Sequence, residues 1–323
     1  RSRLLPAEAY NQLLNLEHAE IARYIQDLEY RREIDRYGST LSGADLIETA
    51  LVDNLAKDIG DFLSFSKGKL RDILHVYAEK YRVDNLKNII RGINQNMDRQ
   101  NLERLVCPIN DSDKDLYSKL YDSKTVEDVI SSLEGTSYYN PLKKALESRN
   151  SDSLQPLEDT LDLIYYRNLV SNQPSGGADV EVYRNFVQLK VDIANIKTLL
   201  RMRHRGIGSH DELLISGGTL ATDLLASTQS LEDLLSSLEG TKYFELLEPH
   251  LKPDSVDLNS CVHSLDEYMA KKTKRFSYLY PLSVLPVLDY LLKKEREVYN
   301  LRAIVRGKQA GLANDIIEEL VVV

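Results

Sequence analysis

Asp72, His75 and Glu79 stand three and four residues apart in a stretch with helical apolar spacing, so both carboxylates fall within a turn of one imidazole. Carboxylate oxygens and an imidazole nitrogen are ligands for a divalent cation, and the set could seed a metal site. A lone cluster of this kind is more simply polar pairing along an exposed helix face. None of the six histidines forms HExxH, and none follows a glutamate by three residues as di-iron helical bundles require. Phosphate chemistry fares no better. The fragment SKGKL at 66–70 lacks the spaced glycine of a P-loop and the hydroxyl that would reach Mg²⁺. Gly206-Ile207-Gly208 and Gly217-Gly218 follow no strand, so they read as linkers rather than a dinucleotide turn. Ser, His and Asp occur without a GxSxG elbow. The expectation is a chain with no catalytic residue, no cofactor and no metal.

One polar pattern does recur. NLKNIIR at 85–91, NIKTLLR at 195–201 and NLRAIVR at 300–306 each place a carboxamide and a guanidinium around an apolar stripe. In a structural reading, Asn85, Asn195 and Asn300 bond to a neighbouring helix, while Arg91, Arg201 and Arg306 cap carbonyls at the helix end. In a functional reading the six residues face a common axis and present a polar surface to a partner. The two readings are compatible.

These motifs sit in a repeating frame. SSLEGT occupies 131–136 and again 236–241, a displacement of 105, and Tyr138 and Leu142 align with Tyr243 and Leu247. A fainter copy places Tyr30 and Ile34 at a displacement of 108. From tyrosine to asparagine the separations are 55, 57 and 57. Two markers at one spacing imply three related units of roughly 105 residues, too long for tetratricopeptide or ankyrin repeats. Borders are expected near 107 and 213, giving units 1–106, 107–213 and 214–323.

Leu86, Ile89 and Ile90, with their counterparts Ile196, Leu199, Leu200 and Leu301, Ile304, Val305, follow the 3.6-residue period, and no stretch alternates strictly. The fold class is therefore all-α. The Gly-Thr pairs at 135 and 240 read as a helix stop followed by a cap. Loops are expected at 36–43, 107–114, 170–178, 205–218 and 252–257, and a short docked helix within 312–323.

Composition narrows the class further. The 323 residues are 42% hydrophobic, with 50 acidic against 41 basic side chains and a net charge of −9. That balance disfavours nucleic acid as a partner, because phosphate-backbone binding needs clustered Lys and Arg. The basic runs at 201–205 and 271–275 read as solvated helix ends, with a local acidic partner or lipid headgroup as the other reading. Cys107 and Cys261 lack CxxC spacing, which fits a reducing compartment. The longest uncharged apolar stretch, 276–288, is shorter than the ~20 residues a bilayer crossing takes.

The run PLSVLPVLDYLLKKEREVYNLRAIVRGK at 281–308, with Gly311-Leu312 after it, resembles the C-type stalk-socket family of archaeal- and vacuolar-type rotary ATPases. YRVDNLKNIIR at 81–91 resembles it too, and the three-unit layout extends the resemblance over the whole chain. In that family the counterpart in the eukaryotic vacuolar pump is its d subunit. The resemblance implies three pseudo-threefold-related helical bundles forming a funnel that takes the foot of the central stalk, its D- and F-type subunits. It implies a seat on the membrane proteolipid rotor ring, and torque transfer for proton or sodium ion transport without catalysis. It further implies a peripheral place on the cytoplasmic side of the cell membrane, membrane association through the ring only, and an archaeal source. The family has another helical stretch ahead of the segment RSRLL, whereas this sequence starts at Arg1. The middle unit also departs, with Ala194 and Met202 where the first has Asp84 and Gly92. A soluble helical adaptor without a rotary role is the competing reading.

Overall fold

The computed structural model describes residues 4–149, 153–174, 176, 178–207, 211–252 and 255–321. The expected turn residues Ser175, Gly177, Gly208, Pro253 and Asp254 lie outside them. Seventeen α-helices account for most of the described residues, and the chain is all-α. The exception is a two-residue antiparallel pair, β1 (Leu251–Lys252) with β2 (Ser255–Val256), at the loop expected over 252–257. Among the described residues no helix is long and apolar enough to cross a membrane.

The helices recur in one order. The first repeat has three short helices, α1 (Ala7–Leu13), α2 (His18–Gln26) and α3 (Arg31–Tyr37), then the long α4 (Gly43–Phe65) and α5 (Gly68–Asn94) and the short α6 (Arg99–Leu105). The second has α7 (Asp111–Leu120), α8 (Val126–Ser131) and α9 (Tyr139–Glu147), then α10 (Gln155–Ser171) and α11 (Ala178–His204). A single 3₁₀ turn, Asp211–Leu213, stands where α6 stood. The third has α12 (Thr222–Ser227), α13 (Leu231–Ser237) and α14 (Lys242–Leu247), then α15 (Leu258–Leu279), α16 (Leu285–Gln309) and α17 (Asn314–Leu320).

Local chemistry explains why the pattern repeats. The second short helix of each repeat opens on a capping box: Glu17 with Glu20, Thr125 with Asp128, and Ser230 with Asp233. In each, the N-cap side chain and the residue three on satisfy two orphan helix donors reciprocally. Their displacements, 108 and 105, are those of the tyrosines. Gly135 and Gly240 follow at φ +83° and +75°, the left-handed region open to glycine, and Thr241 then caps α14 through the Phe244 N–H.

The last long helix of each repeat ends identically. Asn96, Gly206 and Gly311, all eleven residues after the motif asparagine, take positive φ. The next N–H then reaches back to the carbonyl of Gly92, Met202 or Gly307, at 2.9, 3.0 and 2.9 Å. This is the 6→1 closure of a Schellman stop, at one register in all three repeats. Gly92 and Gly307 leave no room for a side chain: a Cβ would meet the Leu102 side chain at 2.3 Å and that of Ile317 at 2.7 Å. Both contacting residues are fully buried, and they dock α6 and α17. Met202 fills the matching place in the middle repeat, where the structure has the 3₁₀ turn instead of a helix.

Packing gathers the chain into two compact units, Arg1–Lys143 with Tyr290–Val323, and Lys144–Asp289. The cuts fall inside α9 and near the start of α16, so packing units cross the sequence repeats. In the first unit, Leu86, Ile89 and Ile90 of α5 and Leu301, Ile304 and Val305 of α16 are all fully buried. In the second, Ile196, Leu199 and Leu200 of α11 are buried, as are Phe186 and Val187 earlier on the same helix. At about 25 cal/mol per Å² of apolar surface, such wholly buried aliphatic side chains are the main stabilising contribution.

Candidate functional site

The three motif asparagines are buried, at 3%, 1% and 0% exposure. Asn85 donates from Nδ2 to the Cys107 carbonyl at 2.8 Å and accepts from the Cys107 N–H at 2.9 Å. Asn195 makes the same pair with Ile215, at 2.8 and 2.9 Å. Each of these two carboxamides thus pairs with both polar atoms of one residue in the connection leaving its helix, and Asn85 also donates to the Tyr117 hydroxyl of the neighbouring α7 at 3.3 Å. A carboxamide carries the donor and acceptor of a peptide, so one planar group satisfies both. Asn300 hydrogen-bonds to Tyr10.

Arg201 and Arg306 pair with carboxylates. Arg201 pairs with Asp159 at 2.9 Å, in a cleft of about 180 Å³ lined also by Tyr166 and Lys197. Arg306 donates Nε to Glu48 at 2.8 Å and also pairs with it through Nη2. Arg91 is exposed. The Schellman closure already occupies the carbonyl at 92, 202 or 307, and carboxylates offer the guanidinium stronger, charge-assisted partners. Arg203, in a run expected to be solvated, is buried and bonds to the Ile207 carbonyl at 2.9 Å and the Thr228 hydroxyl at 3.3 Å.

The aligned tyrosines show how consecutive repeats are joined. Tyr243 of the third repeat donates to Asp192 of α11 at 3.1 Å. Tyr138 of the second donates to Glu79 of α5, and Tyr30 of the first to Glu297 of α16, both at 2.5 Å. Each tyrosine therefore bonds to the last long helix of the repeat before it, and the order is cyclic: third on second, second on first, first on third.

The opening segment of each repeat reaches the same node, at the position three residues before the motif asparagine. Glu297 accepts the Leu5 N–H at 2.6 Å. Asp192 accepts the Thr219 and Leu220 N–H groups at 2.8 and 3.1 Å. In the first repeat the charges are exchanged: Arg82 holds that position and donates to Asp113 at 2.7 and 3.0 Å. Arg82 also donates to Glu79 at 2.6 Å, which orients the carboxylate for Tyr138.

The Glu297 node also holds a fully buried cation. Lys294 Nζ lies 3.1 Å from Glu297 Oε1 and 2.9 Å from the Tyr30 hydroxyl, and 4.2 Å from the Tyr30 ring centroid. Lys294 and Glu297 are 1% and 2% exposed, and removing either partner would strand a buried charge. Burial pushes the Tyr30, Tyr138 and Tyr243 hydroxyls well above the usual phenol range, and the adjacent carboxylate adds to it in each case.

Of the candidate cation cluster, Glu79 is committed to Arg82 and Tyr138, and His75 pairs with Arg71 Nε at 3.3 Å. Among the described residues no group of three or more His, Cys, Asp or Glu is placed to hold a metal ion. Sequence spacing pointed to the tyrosines and asparagines but not to Asp192, Lys294 or Glu297. The usable signal was a charged residue at the third position before each asparagine.

The model of the ATP synthase (C/AC39) subunit family matches residues 1–320. The chain is similar to the C subunit of the A-type ATP synthase of Haloferax volcanii, with 36% identity over 100% of this chain and 94% of that protein. It is similar to the C subunits of the A-type ATP synthases of Archaeoglobus fulgidus, 33% identical over 100% and 93%, and Methanococcoides burtonii, 31% identical over 100% and 91%.

Proposed function

The chain belongs to the ATP synthase (C/AC39) subunit family, and on that premise we propose that it is a non-catalytic coupling piece of an A-type ATP synthase. In this reading three pseudo-equivalent bundles, with borders near 107 and 213, form a funnel-like socket. The socket takes the foot of the central stalk, its D- and F-type subunits, and sits on the proteolipid rotor ring. Torque passes through it for proton or sodium transport. The chain then lies on the cytoplasmic face of the cell membrane as a peripheral component.

The observation that supports this reading is the cyclic set of Tyr–carboxylate nodes. A part that transmits torque must resist shear between its segments, and a buried, directional hydrogen bond resists it better than apolar contact alone. Three such nodes, each tying a repeat to the helix of its predecessor, distribute that resistance through the chain.

The test is isolation from native membranes through a tag on this chain. Stalk and ring subunits are expected to come with it, and recovery with neither would favour the helical adaptor. Within the assembled complex, loss of the chain is expected to leave ATP hydrolysis by the head but abolish ion pumping. Unchanged pumping would overturn the proposal.

A further inference from the structure

The turn between α15 and α16 exposes a run of large apolar side chains: Tyr278 at 76%, Leu279 at 59%, Tyr280 at 40% and Leu282 at 95%. The run is not a loose end. The Ser283 N–H and hydroxyl both close on the Tyr280 carbonyl, at 3.1 and 2.7 Å, and the core resumes at once with Val284 and Leu285 at 6% and 0%. One turn earlier on α15, Lys274 and Arg275 are exposed and make no ion pair or hydrogen bond among the described residues. From 268 to 288 the sequence holds four cations and no acid, in a chain with net charge −9.

The same chemistry recurs at the equivalent turn of the first repeat, between α4 and α5. There Phe65 is 81% exposed beside Lys67, an exposed cation with no ion pair or hydrogen bond among the described residues, and 62–71 holds three cations and no acid. The sequence of the middle turn, NQPSGG at 172–177, has neither character. Two related turns independently carry a basic flank and an apolar tip.

We propose that the α15–α16 turn inserts into the headgroup region of an anionic lipid bilayer, with Lys274 and Arg275 on the headgroups and Tyr278, Leu279, Tyr280 and Leu282 at the acyl boundary. Geometry favours lipid over a protein groove. Consecutive helical side chains point about 100° apart, so Tyr278 and Leu279 with the turn residues after them present apolar surface in several directions. A helix bound in a protein groove exposes one stripe at i, i+3 and i+4. A tip that is apolar all round needs a medium that closes around it, and tyrosine with lysine or arginine is the composition of the membrane interface. The contact does not depend on the rotary reading and adds to whatever a rotor ring would supply.

The test uses the full chain with vesicles of phosphatidylglycerol and phosphatidylcholine, against phosphatidylcholine alone. The chain has no tryptophan, so Leu282→Trp reports insertion directly. A blue-shifted emission quenched by brominated acyl chains is expected with the anionic vesicles only. Each cation near the surface is worth roughly fivefold in binding, so Lys274→Glu with Arg275→Glu should weaken association at least tenfold. These side chains are exposed, so the circular dichroism spectrum should not change. Equal binding to neutral vesicles, no quenching, or undiminished binding by the double variant would overturn the proposal. So would an unsubstituted chain that binds no vesicles while the double variant loses stalk or ring copurification, which would make the tip a protein contact.

Discussion

The Asn195 carboxamide and the Ile215 backbone exchange two hydrogen bonds, and Asn85 does the same with Cys107. The intervening chain differs: a full helix, α6, in the first repeat and one 3₁₀ turn in the second. The return point is nevertheless the same. What fixes it is the side chain, because a buried carboxamide has few geometries that satisfy both its donor and its acceptor. The connections leaving α5 and α11 are therefore pinned at Cys107 and Ile215 rather than free.

Asn195→Ala leaves the Ile215 N–H and C=O without partners in the interior. An unsatisfied buried group costs about 1–3 kcal/mol, so the variant should lose roughly 2–5 kcal/mol of unfolding free energy. Asn195→Asp keeps the acceptor but sets a carboxylate against the carbonyl, and should be no better than alanine. Denaturant titration of both variants checks this. A loss under about 1 kcal/mol would mean water replaces the carboxamide.

The repeat, the helices and the burial of all nine motif aliphatics were legible because period and spacing are local properties. Glu17 as an N-cap was not, since glutamate is outside the usual set of Ser, Thr, Asp and Asn. Its alignment with Thr125 and Ser230 at the repeat displacement was the usable clue. The junction partners were hidden for a different reason. Repetition says which residues are equivalent, not which repeat each one touches. Tyr30 finds Glu297 across 267 positions, and Tyr138 finds Glu79 across 59. The exchange of charge at Arg82 and Asp113 further masks the common plan.

Lys294→Met should be costly, because it leaves the Glu297 carboxylate buried without its cation. Breaking one side of a buried pair typically costs about 3–5 kcal/mol. Lys294→Met combined with Glu297→Gln removes both charges and should recover part of that loss. A double variant less stable than the single would show that Glu297 is stabilised by Tyr30 and the Leu5 N–H alone.

Arg306 separates the structural from the partner-facing reading of the motif arginines. Its side chain is 48% exposed and pairs with Glu48, which Arg302 also approaches at 3.5 Å. With Arg302 left to neutralise Glu48, Arg306→Ala should cost about 1 kcal/mol or less in the isolated chain. A partner-facing arginine would show instead as weakened association with stalk or ring subunits at unchanged stability. Equal association and a large stability loss would make the residue structural only.

Stability should fall on the alkaline side, and the sign follows from which state releases its protons first. Burial raises Tyr30, Tyr81, Tyr138 and Tyr243 above their ordinary value of 10.0, so the unfolded chain ionises before the folded one. Burial likewise pushes the Cys107 thiol from 9.0 up to about 12 and the Cys261 thiol up to about 11. A raised folded value gives a contribution that is complete below the unfolded value and lost as pH climbs toward the folded one. Unfolding free energy should therefore fall from about pH 9, first through the thiols and more steeply above 10 through the phenols. Each group contributes at most about 1.4 kcal/mol per pH unit within its own window. Denaturant midpoints over this range, read beside phenolate absorbance, check the claim: buried tyrosines should ionise together with unfolding. Exposed tyrosines such as Tyr278 and Tyr299 do not report on the nodes. All the tyrosines reaching phenolate at the ordinary value while the chain stays folded would show that the nodes are open to solvent and do not tie the repeats together.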